Sequence, residues 1–438
     1  MNQFAPRWFV GAWFILAAGT SLLLPDAFWL LLAATTGLVV LALALRHTVG
    51  FCCAWLLIAG ATLEMALGDA IGGNAYQTII AIVKAAEIAL AGVCVLRYGG
   101  RTDPFNPAYA YVALAAMGIA TGLHPDLTPH DSLRSLIGSA APFLFCFSRL
   151  TRAWADAIVR TSSLIPVLTV IAGAALFAAG LRPLFVDSGG WRLAALGHPA
   201  FLGGFCLTAI YAGLVQWLRS GKPRELGLIG VNVAILVATG ARAPMIYAAI
   251  VGLGTILFAD SPAVPARSRR LLLLGLAAVL PIIFLAAAAL PEIRLFNVLS
   301  QEATNLSGRD ILWPEFEHAA AAAPWFGWGI GAGNVIIPPD SAVAQLIGTW
   351  AAHNEYLRMR VEGGYIGLTL LVLCFVLWIW RNTAALPRGE RTLMRLVFAA
   401  FACHAYTDNV LISTSACVFF AFAAAMFAHG RLKPEARA

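Results

Sequence analysis

The residues able to do chemistry concentrate between Asn305 and Leu368. This stretch carries Ser307-Gly308-Arg309, Trp313, the run Pro324-Trp325-Phe326-Gly327-Trp328-Gly329-Ile330-Gly331-Ala332-Gly333, then His353-Asn354-Glu355-Tyr356-Leu357-Arg358 and Glu362-Gly363-Gly364. His353 is suited to proton transfer, because a neutral imidazole is the ordinary general base near neutral pH. A histidine that merely caps the following helix is the other reading. Arg309 joins Arg192 and Arg242, each in a short glycine-containing context. Guanidinium groups stay charged and fork onto phosphate oxygens, so three converging from separate loops would clamp a diphosphate. Snorkelling side chains, or local pairs of Arg309 with Asp310 and Arg192 with Asp187, would account for the same residues differently.

Other candidates are weaker. His404 and Asp408 stand four apart near the end of an apolar run, and Asp408 could orient His353 or a bound substrate, or simply cap a loop. Trp313, Trp325, Trp328 and Trp350 could stack on sugar rings, although interfacial belts place Trp at membrane edges anyway. Lys84 and Glu87 share a helix face inside one apolar run, with Glu64 in the run before, as a structural ion pair or a functional site. No metal site is expected: His353 has no second His or carboxylate three or four residues on, and the loop lacks a DxD pair. There is no P-loop and no dinucleotide fingerprint, so neither a cofactor nor a nucleotide-sugar donor is expected.

Such groups need elements to carry them, and composition says which. Of 438 residues 60% are hydrophobic and 12% charged, and the mean hydropathy is +0.81; soluble domains have about 25% charged residues. The chain therefore reads as an all-α polytopic membrane protein. Candidate spans lie at about 8–24, 28–45, 49–68, 76–97, 107–124, 132–149, 161–179, 200–218, 225–240, 243–259, 271–290, 360–380, 392–408 and 411–429. With a cytoplasmic amino terminus, eight arginines fall outside (Arg134, Arg182, Arg192, Arg242, Arg294, Arg309, Arg358 and Arg360), Lys84 lies within a span, and the other twenty of the 29 basic residues lie inside. That asymmetry follows the positive-inside rule, so both termini are expected in the cytoplasm and the 305–350 loop in the periplasm.

The chain divides into N-terminal transmembrane helices over 1–290 with short Arg-bearing periplasmic loops, a long periplasmic catalytic loop over 291–359, and C-terminal transmembrane helices over 360–438. Within the loop Ser307 is the expected N-cap, Arg309 and Trp313 lie one turn apart on one face, Pro314 is expected to end or kink that helix early, and the alanine-rich Glu315 to Ala323 to continue or restart it. Four glycines in the seven positions 327–333 demand irregular backbone, expected to approach a ligand closely. The eight cysteines lie in or beside apolar runs and read as small hydrophobes. The net charge of +7 is dispersed between spans, which argues against nucleic acid as a partner.

The order of these motifs resembles the O-antigen ligase and polymerase superfamily of bacterial inner membranes: SGR with a Trp four residues on, P-x-x-G-x-G-x-G, HN-x-Y-L, then E-G-x-x-G-L. The resemblance implies a GT-C-like membrane fold of about 12 (12–14) transmembrane helices with one long periplasmic helical loop. It implies an inverting, metal-independent ligase that moves O-antigen glycan from undecaprenyl diphosphate to lipid A–core oligosaccharide beside membrane lipid. His353 would be the base and Arg192, Arg242 and Arg309 the diphosphate clamp, with T-G-A-R around Arg242 and S-G-R around Arg309 the closer matches. Asn354, Tyr356, Glu362, Asp408 and Trp313 would support them. A polymerase using a second undecaprenyl-linked glycan as acceptor shares the motifs. A transporter is the reading from a different class, and it would call for pseudo-symmetric halves with interrupted midplane helices. Oligomeric state is not legible.

Overall fold

The computed structural model describes residues 28–62, 65, 75–187, 190–289 and 308–432. In chain order the helices are α1 (Phe28–Arg46), α2 (Thr48–Gly60), α3 (Ala75–Tyr98), α4 (Pro107–Thr121), α5 (Pro129–Ala140), α6 (Arg152–Ala178), α7 (Pro199–Ser220), α8 (Pro223–Thr239), α9 (Arg242–Phe258), α10 (Ala266–Ala289), α11 (Arg309–Ala322), α12 (Ala342–Ile347), α13 (Glu355–Ala384), α14 (Arg388–His404) and α15 (Thr414–Arg431). A two-stranded antiparallel hairpin, β1 (Phe185–Asp187) and β2 (Trp191–Leu193), pairs Val186 with Arg192.

Starts and stops follow local chemistry. Asn106 caps α4 by accepting from the Ala108 N–H at 3.0 Å, and Thr151 caps α6 by accepting from Trp154 N–H at 3.2 Å. Prolines at the first position of α7 and α8 need no N–H there. Both of these helices end on a left-handed glycine, Gly221 and Gly240. The Gly240 stop lets the chain turn at once into α9, with Arg242 as its first residue.

The bundle is organised around α7 and α15, both buried nearly all round. Glycines let neighbours approach: a Cβ on Gly203 would lie 2.6 Å from the Ala241 side chain, and one on Gly213 2.6 Å from Ile229. Phe143, Trp378 and Phe420 interlock beside α15. At the end of the bundle holding the C-termini of α7 and α15 and the N-terminus of α14, Arg219 joins Asp156 at 3.3 Å to Glu390 at 2.9 Å. The N-termini of α13 and α15 and the C-terminus of α14 meet at the other end, where Glu355 N–H donates to Ala405 O at 2.7 Å and Leu411 N–H to the Glu355 carboxylate at 2.7 Å.

Four described helices are long and apolar enough to cross a membrane: Thr78–Tyr98 within α3, and α6, α7 and α13. A fifth span arises if Thr36–Arg46 and α2, bent by 105°, act as one. Several expected spans are revised. The 132–149 run is the short helix α5 followed by a 3-10 segment, Ala141–Phe147, because Thr128 caps α5 through the Asp131 N–H and Pro142 cannot donate within a continuing helix. The span expected at 161–179 begins at Arg152, that at 360–380 begins at Glu355, and that at 392–408 ends at His404. Residues 355–359, read from sequence as the end of the loop, are the first turns of α13. The span expected at 8–24 lies outside the described residues, as do Glu64 and Ser307. Gly308 occupies the N-cap position of α11 in a left-handed conformation, φ 77°, and α11 runs through Pro314 to Ala322 without ending there.

Candidate active site

His353 stands immediately before the N-cap of α13 and has a left-handed backbone, φ 48°. Such a conformation is uncommon for a residue with a side chain and persists where surroundings fix it. Three contacts do so. Trp313 Nε1 donates to Ala352 O at 2.8 Å, the Asn354 side chain caps α13 by accepting from Leu357 N–H at 3.1 Å, and Glu355 N–H ties the next residue to Ala405 O. Tyr356 adds a fourth anchor through its hydroxyl, which donates to Ala402 O at 2.8 Å.

The His353 ring is two-thirds buried. Nδ1 lies 3.3 Å from Asp408 Oδ1, and Nε2 lies 3.2 Å from Thr349 Oγ1. Asp408 also accepts from its neighbour's N–H, Asn409, at 2.8 Å, and its second oxygen lies 3.7 Å from His404 Nε2. Burial pushes the Asp408 carboxyl up, but the His353 hydrogen bond, the adjoining imidazoles and the Asn409 N–H outweigh it and hold the carboxyl below its ordinary value. An ionised Asp408 favours the Nδ1–H tautomer of His353 and leaves Nε2 as the proton acceptor. Thr349 Oγ1 thus sits where the oxygen of an incoming hydroxyl could be deprotonated.

Arg309 reaches the same place from α11. Its Nη2 donates to Thr407 O at 2.6 Å, one residue from Asp408, and its Nε is buried with no hydrogen-bond partner. Trp313, one turn on, holds the backbone next to His353, so α11 supplies both a cation and a support for the imidazole. Arg192 and Arg242 are joined through one turn. Arg192 Nε, on β2, donates to Thr239 O at 2.7 Å, and Thr239-Gly240-Ala241 leads into Arg242 at the start of α9. Five residues along α9, Tyr247 packs its ring 5.1 Å from that of His404, which links the Arg242 end of α9 to the Asp408 neighbourhood.

Glu362 does not face the site. It is fully buried and accepts from Arg358 Nη1 at 3.0 Å, while Arg358 also binds Glu355 at 2.6 Å. This three-residue chain rigidifies the first turns of α13, and the spacing 355, 358, 362 would have revealed it in sequence. The glycine run has a related task. At Gly364 (φ 60°, ψ −165°) α13 breaks, leaving backbone groups that need partners. The run provides them: Tyr365 N–H donates to Pro324 O at 2.8 Å and Ile366 N–H to Trp325 O at 3.1 Å, while Trp328 N–H donates to Val361 O and Gly329 N–H to Glu362 O, both at 2.9 Å. A Cβ on Gly327 would lie 2.5 Å from Glu362 C and Gly363 N. The close approach expected toward a ligand is therefore an approach to the backbone of α13.

Lys84 Nζ donates to Gly138 O and to Ile412 O, both at 3.3 Å, and the fully buried Glu87 side chain has the Cys417 thiol beside it. All eight cysteines are free thiols, and five of them are buried. Among the described residues no three His, Cys, Asp or Glu side chains come together as a metal site. Sequence reasoning missed Thr349 and the Thr407 carbonyl; a hydroxyl four residues before His353 is a faint signal and a backbone oxygen gives none.

Residues 227–372 match the family model described as O-antigen ligase. No curated protein matches the chain.

Proposed function

We propose that this chain, whose residues 227–372 fall in the O-antigen ligase superfamily, is a multi-pass inner-membrane ligase that transfers O-antigen glycan from undecaprenyl diphosphate to lipid A–core oligosaccharide at the periplasmic face. The finer architecture belongs to the same reading: about twelve spans of GT-C-like type, both termini cytoplasmic, and a catalytic loop that begins near residue 291 and ends at Asn354, where α13 starts. The observation that carries it is the pairing of His353 with Asp408 at 3.3 Å while Arg309 is bound one residue away at Thr407 O. An imidazole and a permanent cation thereby meet around one turn, from three separate elements.

The chemistry follows from those roles. The acceptor hydroxyl gives its proton to His353 Nε2 as its oxygen attacks the anomeric carbon from the face opposite the diphosphate, and the configuration inverts. The bond from that carbon to the diphosphate oxygen breaks, its electron pair staying on undecaprenyl diphosphate. Guanidinium charge from Arg309, Arg242 and Arg192 offsets the charge developing on the leaving group, the kind of preorganised electrostatic stabilisation that suits a site at a membrane edge. Because a diphosphate leaves readily once its charge is offset, the reading needs neither a metal nor a general acid. Both substrates are lipid-tethered, which suits a site at the ends of α13 and α14. Lipopolysaccharide from cells lacking the protein tests this: bare lipid A–core with accumulated lipid-linked glycan is the expected pattern, and normal long-chain lipopolysaccharide contradicts it.

A further inference from the structure

Tyr406 is a large aromatic side chain that none of the roles above uses. It is 53% exposed, although it lies in the turn that carries Thr407 and Asp408. Its position is fixed on both sides: its N–H donates to Cys403 O at 3.2 Å, and its ring meets that of Trp313 edge-on, centroids 5.7 Å apart and planes at 69°. Trp313 in turn holds Ala352, the residue before His353. The ring thus meets the side chain that holds Ala352, and it belongs to the turn that presents Asp408.

We propose that Tyr406 is the platform on which the acceptor's sugar ring stacks, and so sets acceptor affinity; this rests on the ligase reading above and deepens it. A pyranose has one face of C–H groups, mildly positive and apolar, and an aromatic face carries the negative part of its quadrupole. Stacking the two removes apolar surface from water. A tyrosine loses little conformational freedom in doing so, since only two χ angles must be fixed. The acceptor is favoured over the donor because Tyr406 precedes Asp408 by two residues and its ring meets Trp313, which holds the residue before His353, where the attacking hydroxyl must arrive. An interfacial belt would account for an exposed Tyr, but the next two residues in the chain here are Thr407, whose carbonyl Arg309 binds, and Asp408, whose carboxylate pairs with His353.

The test uses full-length protein in lipid nanodiscs with undecaprenyl-diphosphate glycan and lipid A–core, varying each substrate. Tyr406→Ala should raise the acceptor KM about tenfold, with kcat and the donor KM close to wild type, and Tyr406→Phe and Tyr406→Trp should restore the acceptor KM. An unchanged acceptor KM in Tyr406→Ala, a rise in the donor KM instead, a fall in kcat alone, or failure of Tyr406→Phe to restore binding would each overturn the assignment. No transfer by the wild type would overturn the ligase reading and this inference together, so the two failures are told apart.

Discussion

The imidazole of His353 is held by its backbone as much as by its partners: φ 48° is sustained by Trp313, Asn354 and Glu355, and Asp408 then selects the tautomer. Loss of the base should therefore differ from loss of the clamp. His353→Ala should retain donor binding while turnover falls by about 10² to 10⁴, the usual worth of general-base catalysis. Arg309→Ala should weaken donor binding as well as rate, with partial rescue by Lys, whose point charge cannot fork. Donor titration and single-turnover rates on the two variants separate these outcomes, and identical defects would contradict the assignment. Asp408 gives a pH test of known sign. Its carboxyl is held below the ordinary value, so its contribution to the folded state is full above the unfolded value and is lost as the pH falls through the lower, folded one. The Tm gap between wild type and Asp408→Asn should be complete at neutral pH and close only below the ordinary carboxylate range near about 3.9. A gap that closes between pH 6 and pH 5 would assign it to another group. Both His353 and Asp408 were legible in sequence, and orientation of His353 by Asp408 was one of the readings open there beside loop capping; what decides between them is the meeting of α13 with the end of α14, which brings together residues 55 positions apart.

At the scale of elements, the glycine run and the broken helix α13 form one unit. Gly327 and Gly348 both have left-handed backbones, φ 69° and 77°, but a Cβ on Gly327 would strike α13 while one on Gly348 meets nothing within 4 Å. Gly348→Ala should cost about 1–2 kcal/mol, the backbone penalty alone, whereas Gly327→Ala adds a clash with α13 and should cost more than about 3 kcal/mol. Equal Tm losses in detergent would show that the run does not support the break. Four glycines in seven positions announced irregular backbone without announcing what it packs against, so the run was expected to face a ligand. The helix over 309–322 was legible from Arg309, Trp313 and the alanine-rich 315–323, which is able to continue it past Pro314; which of ending, kinking or continuing occurs there was not. The apolar 132–149 run resembled a span because hydropathy does not register the Thr128 cap or the break at Pro142.

For the whole molecule, His353, Asp408 and Arg309 gather at one end of the bundle and the Arg219–Glu390 cluster lies at the other. Reporters fused after Arg224 and Arg391 should be cytoplasmic and those within 319–323 periplasmic; a cytoplasmic report from 319–323 would remove both substrates from reach. The class of fold was plain from composition, since 12% charge over 438 residues leaves little but membrane helices. The number of spans was less plain, because length and hydropathy alone do not distinguish a spanning helix from one that bends, as α1 and α2 do by 105°. The central claim is transfer by a His353 base and an arginine clamp, and the most direct measurement is the product formed by purified protein reconstituted with undecaprenyl-diphosphate glycan and lipid A–core in excess EDTA. The expected result is glycan on lipid A–core with an inverted anomeric centre in the wild type and a loss of about 10² to 10⁴ in His353→Ala; full transfer by folded His353→Ala, or activity abolished by the chelator and restored by one divalent ion, would contradict it.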